Sequence, residues 1–410
     1  MAHRGTVVRR SRIEWCVRIG IALFALVLAY AAVAYTFAYT IRAAAPAQAH
    51  GLAPSDGRLT ALLAQQMSGP EAGPADRIRA DALAQLALRQ DSTAIAAVVT
   101  LGINAQARGD TRRARHMFVF ANILSRRDLP TRLWAIEDAI GRSDIRGALR
   151  QYDIALRTSR TAPGLLFPIL GSAIADPAIR TALVARLGTR PAWGGPFIVY
   201  LADDGTDTPA AALLFRAIAQ AGLPLPDGPR AVLVRRLAEK GKFDDAWNMY
   251  TAVTPGADRR WSRDPDFAAK LDQPSIFDWT PIESDGTTAV FQRGDKGNVF
   301  DFSVTSGMGG PVLQQIELLP PGEYFLDGRS TGIEQPDSAL PYWVLSCANA
   351  SEIGRVTVTS SNRSRGRFSG VLHVPTHCPV QYLTLVVRPS EKVEGVIGQI
   401  NTAQLRPVKL

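Results

Sequence analysis

His373, His377 and Cys378 form the one His/Cys group of this 410-residue sequence, and imidazole with thiolate is a zinc donor set. Their spacing matches no common zinc frame, and one face of a strand cannot present all three, so no metal is expected. The paired carboxylates Asp203-Asp204 and Asp244-Asp245 are the other candidates, because general acid and base chemistry uses such pairs. The second pair falls at a helix start, where acids favour the dipole, and a solvated turn accounts for the first. No G-x-x-x-x-G-K-[ST] loop, H-E-x-x-H or G-x-G-x-x-G occurs, and no nucleophile elbow is read. The expectation is a chain with no catalytic residues and no cofactor. A glycoside hydrolase with two carboxylates facing a sugar cleft is the enzyme class left open.

Three cysteines occur: Cys16 before an apolar segment, and Cys347 and Cys378 in the C-terminal part. Cys347 and Cys378 end or begin runs that read as strands, so the expectation is a disulfide between neighbours, with two buried thiols as the alternative. Aromatic rings offer the remaining chemistry. A sugar's apolar C–H face lies flat on a ring with polar neighbours for its hydroxyls, and Trp279, Tyr324, Tyr342, Trp343 and Tyr382 are the rings available. Strand alternation puts Tyr342 and Trp343 on opposite faces, and likewise Tyr324 and Phe325, so at most one of each pair points outward.

The formal net charge of +9 is divided unevenly. Arg4, Arg9, Arg10, Arg12, Arg18 and Arg42 against Glu14 carry +5, leaving +4 for the rest, with no run of like charge. Nucleic-acid binding needs clustered Lys and Arg, so no such partner is expected. The basic excess belongs to topology. Residues 19–41, IGIALFALVLAYAAVAYTFAYTI, hold no charge, and 23 residues of helix reach about 34 Å, enough for a hydrocarbon core of roughly 30 Å. Trp15 precedes the span, while Tyr35 and Tyr39 stand near its end, where amphipathic rings favour the headgroup level. Positive residues cluster before it, so the N-terminus is expected in the cytoplasm. A secretory signal cut after Ala47-Gln48-Ala49 is the alternative, although its apolar region would be about half as long. Richness in Ala, Arg and Gly suggests a bacterium of high GC content, which would make the far side periplasm.

The expected order is therefore a basic cytoplasmic tail (1–18), a transmembrane helix (19–41), a linker (42–58), an α-helical domain (59–272) and an all-β domain (275–410). Within the helical part, Gly109, Ala114, Phe118 and Ala121 recur after 34 residues as Ser143, Ala148, Tyr152 and Ala155. The order is small, Ala, aromatic, Ala. This resembles the tetratricopeptide repeat, a pair of antiparallel helices; Leu101-Gly102 and Gly109-Asp110 complete the fullest match, over 95–128. Residues 129–162 follow more loosely, with Ile136 where the family prefers Gly. Gly241, Ala246 and Tyr250 repeat the offsets again, and Ala80, Ala84 and Ala87 suit a degenerate upstream unit. Small residues stand where helices approach and rings fill the grooves beside them, so these positions specify packing. The resemblance implies a concave face for a protein partner. Between the repeats, Pro168, Pro177, Pro191, Pro196 and Pro209 are expected to end short helices.

From Ile276 about eight alternating runs separated by Gly, Pro, Asn and Ser predict a two-sheet sandwich. The segment QQIELLPPGEYFLDGRS is similar to a strand-turn-strand signature of jelly-roll carbohydrate-binding modules, with Pro321 and Gly322 in the turn. That likeness implies glycan binding. Gln399 and Asn401 stand where many such modules carry acids near calcium, which argues against a calcium site. The function expected is a membrane-anchored periplasmic adaptor in surface polysaccharide assembly or export, binding protein and glycan. The alternative is an envelope scaffold whose sandwich has no sugar ligand.

Overall fold

The computed structural model describes residues 12–269, 273–294, 297–363 and 365–409; Arg4, Arg9 and Arg10 of the basic flank lie outside them. The described residues form fourteen helices followed by a β-sandwich of two antiparallel sheets. The chain divides into two compact units, Met1–Leu166 and Phe167–Leu410, so the division falls inside a helix, Ala162–Ala173 (α9).

The first unit opens on α1 (Arg12–Ile41), the one helix among the described residues long and apolar enough to cross a membrane. Its 30 residues extend about 45 Å, more than a hydrocarbon core requires. The excess has protein contacts. Ala38 is completely buried with Ala49 and Leu59, and the Tyr35 and Tyr39 hydroxyls donate to Asp56 at 2.6 and 2.9 Å. Asp56 also caps α3 (Gly57–Met67), accepting from the Arg58 and Leu59 amides. The stretch expected as a linker contains a helix, α2 (Pro46–Leu52): Pro46 presets φ at its first position and the alanines carry it on.

Helices α4 (Pro74–Gln90), α5 (Ile95–Ala107), α6 (Thr111–Leu124), α7 (Leu129–Gly141) and α8 (Ile145–Thr158) follow. The turns closing α5 and α7, and that after α13 in the second unit, share one geometry. Gly109, Ser143 and Gly241 have φ of +81°, +58° and +71°. The next amide in each reaches back five residues: Asp110 to Ala105, Asp144 to Ala139 and Lys242 to Leu237, at 3.0, 2.8 and 2.9 Å. These bonds satisfy carbonyls that a helix end would orphan. Asp110 and Asp144 then cap the following helices through the Arg113 and Gly147 amides. The 34-residue recurrence is therefore a recurrence of backbone geometry. Ser143 adopts it without glycine's freedom, which is why its unit matched less well.

Ala114, Phe118, Ala121, Ala148, Tyr152 and Ala155 are all buried. A Cβ on Gly102 would stand 3.0 Å from the Phe118 ring. Gly102→Leu should therefore lower the unfolding free energy of the first unit by roughly 1–3 kcal/mol through overpacking, despite a gain in helix propensity. Thermal melts of helical ellipticity on the full chain in detergent check this; an unchanged or raised midpoint would contradict the packing.

The second unit contains α10 (Pro177–Leu187), α11 (Gly194–Asp203), α12 (Thr208–Gln220), α13 (Asp227–Glu239) and α14 (Phe243–Thr251). The prolines expected to end helices mostly begin them: Pro177 and Pro209 occupy first-turn positions of α10 and α12, where a missing N–H costs nothing. Pro168 lies inside α9.

The sandwich strands are β1 (Thr280–Pro281), β2 (Thr287–Gly294), β3 (Gly297–Val304), β4 (Gly310–Glu317), β5 (Gly322–Thr331), β6 (Tyr342–Cys347), β7 (Glu352–Thr357), β8 (Arg367–Val374), β9 (Gln381–Val387) and β10 (Val396–Pro407). One sheet runs β1-β4-β9-β6-β7 and the other β2-β3-β10-β5-β8. Two strands exceed the sequence reading, β1 and β2. In β2 only Ala289 is fully buried, so the alternation is faint. Inward residues such as Phe300, Phe302, Leu326, Trp343 and Leu385 fill the core, each contributing roughly 1.5–3 kcal/mol on burial.

Candidate functional site

Four of the five candidate rings lie on strands and divide by parity, while Trp279 lies just before β1. Trp279, Tyr324 and Trp343 belong to the sandwich core, with exposures of 3%, 3% and 0%. There Trp279 and Trp343 pack at 5.4 Å, the Trp279 indole donates to the Asp264 carbonyl, and the Tyr324 hydroxyl donates to the Pro320 carbonyl. Tyr342 and Tyr382 are half-buried on the outer face of the first sheet. The guanidinium carbons of Arg355 and Arg388 lie 4.0 and 4.8 Å from the Tyr342 ring centre. Cation–π contact thus already engages that ring, and Tyr382, opposite Ser346 and Ile316, is the less encumbered of the two.

Cys347 and Cys378 are joined by a disulfide across 31 positions, and Cys16 is a free, exposed cysteine in α1. The bond removes Cys378 from any group with His373 and His377. Among the described residues no cluster of three His, Cys, Asp or Glu side chains could hold a metal. Asp203 ends α11, while Asp244 and Asp245 lie in the first turn of α14, where Asp244 meets Arg259 at 2.7 Å.

One motif escaped the sequence reading. Gly328-Arg329-Ser330-Thr331-Gly332 carries the letters G-x-S-x-G, but it lies at the end of antiparallel β5 rather than on a strand-to-helix turn. Ser330 is buried, and the described partners of its hydroxyl are the Gly366 carbonyl and Ser361. It is a strand residue.

A buried polar network escaped notice too. Arg263 donates to the Phe277 carbonyl at 2.8 Å, to the Ile316 carbonyl and to Glu317, which is completely buried. Gln315 accepts from the Arg263 amide and donates to its carbonyl. The Arg263 guanidinium lies 5.5 Å from the Trp247 ring centre, and the Tyr250 hydroxyl donates to Asp278 at 2.7 Å. Burial raises Tyr250, with Asp278 adding to the effect. Burial likewise pushes Glu317 up to about 7, with Arg263 opposing. Perturbed carboxylates often mark catalysis, but solvent does not reach Glu317; this group holds α14 and β4 to the segment joining them. The signal was strand parity, since Gln315 and Glu317 share the inward register of Leu313.

In the first unit, α5 and α7 border a groove of ≈ 380 Å³. Ile103 and Gln106 line one side, Leu133, Trp134 and Glu137 the other, and Phe118 lies beneath, its ring 4.6 Å from Trp134. Apolar side chains form its walls, with charges at the rim.

No protein-family model matches the chain, and no curated protein matches it. Among solved structures it is similar to PilW, described as a widely conserved type IV pilus biogenesis factor, at 17% identity and TM-score 0.26, covering 49% of this chain and 95% of that one. It is also similar to the enzymatically active domain of bacteriophage CBA120 tailspike protein 4, at 15% identity and TM-score 0.25, covering 34% of this chain and 20% of that one. The chain thus spans only a fifth of the tailspike domain. Scores this low transfer neither fold nor function. The chain is a multidomain α and β protein with one apolar N-terminal helix, a helical region and a disulfide-bonded β-sandwich.

Proposed function

We propose that the chain is a non-enzymatic adaptor of the bacterial envelope, anchored in the inner membrane by α1 with its N-terminus cytoplasmic. Its tetratricopeptide-like helix pairs hold a protein partner, and its carbohydrate-binding-like sandwich contacts a surface polysaccharide during assembly or export. The groove between α5 and α7 carries this reading: equivalent first helices of consecutive pairs present Ile103, Leu133 and Trp134 to an apolar anchor of a partner protein. Retention of the anchor is supported by Ala47-Gln48-Ala49 being helical, with Ala49 fully buried beside Ala38 and Leu59. The disulfide fits an oxidising periplasm.

A photo-crosslinking residue at Gln106, in the full chain in its own membrane, should yield a discrete protein adduct. Leu133→Glu, a charge in the groove wall, should abolish it. No adduct, or one that persists in Leu133→Glu, would refute groove docking. A second reading, a scaffold whose sandwich takes no sugar, is favoured by the burial of Trp279, Tyr324 and Trp343. The two readings part on whether the sandwich binds sugar at all.

A further inference from the structure

We infer that the arginine-lined cavity at one end of the second sheet binds an acidic oligosaccharide, a chain of sugars bearing carboxylates, through Arg293, Arg329 and Arg365. The inference rests on the proposed glycan contact of the sandwich and gives it a place and a ligand class.

The cavity measures ≈ 890 Å³ and is built from strand ends remote in sequence. Arg293 is the penultimate residue of β2, Arg329 lies near the end of β5, and Arg365 precedes β8 in a turn with φ of +53°. Elsewhere on the sandwich Arg355, Arg363 and Arg406 each meet a carboxylate, Glu352, Asp337 and Asp327. The side chains of the three cavity arginines have no ion-pair or hydrogen-bond partner among the described residues. Asp266 is the one acid in the described lining. Three arginines bordering one space give the described lining a positive excess, and an anion placed there would gain charge-assisted bonds that arginine can make in bidentate form.

The neutral groups suit sugar hydroxyls. A bulge in β10 between Ile400 and Thr402 makes Asn401 the extra residue, re-aimed at the cavity rim. Its carbonyl oxygen accepts from Thr331 at 2.7 Å, which leaves the amide hydrogens for a ligand. Asn298 donates to the Phe267 carbonyl and keeps its own oxygen as an acceptor. Asn401 also stands where an acid near calcium was the family expectation, and in this cavity a neutral amide beside arginines suits an anion instead. No aromatic ring is among the described lining residues, so they offer a neutral sugar no stacking platform. The volume lies within the range of oligosaccharide-sized pockets and far exceeds a single inorganic anion.

The test is calorimetric titration of the full chain in detergent with oligogalacturonate, with dextran oligomers as the neutral counterpart and inorganic phosphate as the simple anion. Oligogalacturonate should bind, weaken as salt rises, and lose about tenfold in affinity in each of Arg293→Gln and Arg329→Gln, with more lost in the double variant. Circular dichroism confirms that the variants fold. Oligogalacturonate binding that the double variant leaves intact, or binding of phosphate without oligogalacturonate, would overturn the inference. Dextran binding indifferent to the arginines would remove this cavity while sparing the glycan reading. A chain that takes up no glycan would end both.

Discussion

Arg263→Met should be among the most damaging single substitutions in the second unit, costing roughly 3–5 kcal/mol, because it strands a buried carboxylate. Arg263 is nearly inaccessible, Glu317 wholly so, and the other oxygen of Glu317 has no partner among the described residues. Arg263→Met with Glu317→Leu should recover much of the loss, since apolar groups of similar volume avoid desolvating two ions. The cost should also depend on pH. Burial raises Glu317 from 4.5 to about 7, so between those values the folded chain holds a proton that the unfolded chain has released. Stability conferred by this group is then fully present below about 4.5 and declines as pH rises through about 7, by about 3 kcal/mol in total. Arg263 opposes the rise, so without it the decline should continue to higher pH with a larger total, and in Glu317→Gln it should vanish. Denaturant unfolding followed by tryptophan fluorescence from pH 4 to 8 reads the wild type and the three variants. A flat wild-type profile, or a double variant no more stable than Arg263→Met, would dismiss the coupling.

That pair also marks where reading the sequence ended. Residues 263 and 317 meet only after the chain has passed through β1 to β4, and no local pattern couples them. Parity alone hinted at Glu317: in a strand read as polar outside and apolar inside, an acid at an inward position demands a partner. The cavity arginines were hidden for the same reason, lying on strand ends far apart in sequence, and each alone reads as an ordinary surface charge.

The helix pairs were legible because their signal is local. Gly109 and Gly241 answer to a left-handed turn, and Ala114, Phe118 and Ala121 to one helical face, so identities at fixed spacing survive without a family match. Strand alternation resolved Trp343 from Tyr342 on the same ground. It failed at β2, where Val290, Phe291 and Gln292 are all exposed and the period of two fades. The linker was misjudged because alanine and proline serve both loops and helix starts, and burial of Ala49 with Ala38 and Leu59 decides between them.

Removing the disulfide by Cys347→Ser with Cys378→Ser should destabilise the sandwich by about 3–4 kcal/mol, the loop-closure value for a 31-residue separation. The closed segment holds β7 and β8, which pair with different sheets, so the bond limits two strands that must part company on either side of the core. Gln381 secures the same corner, accepting from the Leu319 amide and donating to the Cys378 carbonyl. Both cysteines are buried, 4% and 2% exposed, so glutathione should reach the bond only when the sandwich opens. Alkylation after glutathione treatment, read by mass spectrometry, should leave both sulfurs unlabelled in the folded chain and label both in denaturant. Rapid labelling under native conditions would contradict the burial. A loss of 3–4 kcal/mol is a large share of the 5–15 kcal/mol by which domains are usually stable. A sandwich held in a reducing compartment would therefore be marginal, which gives the proposed placement beyond the membrane a thermodynamic reason.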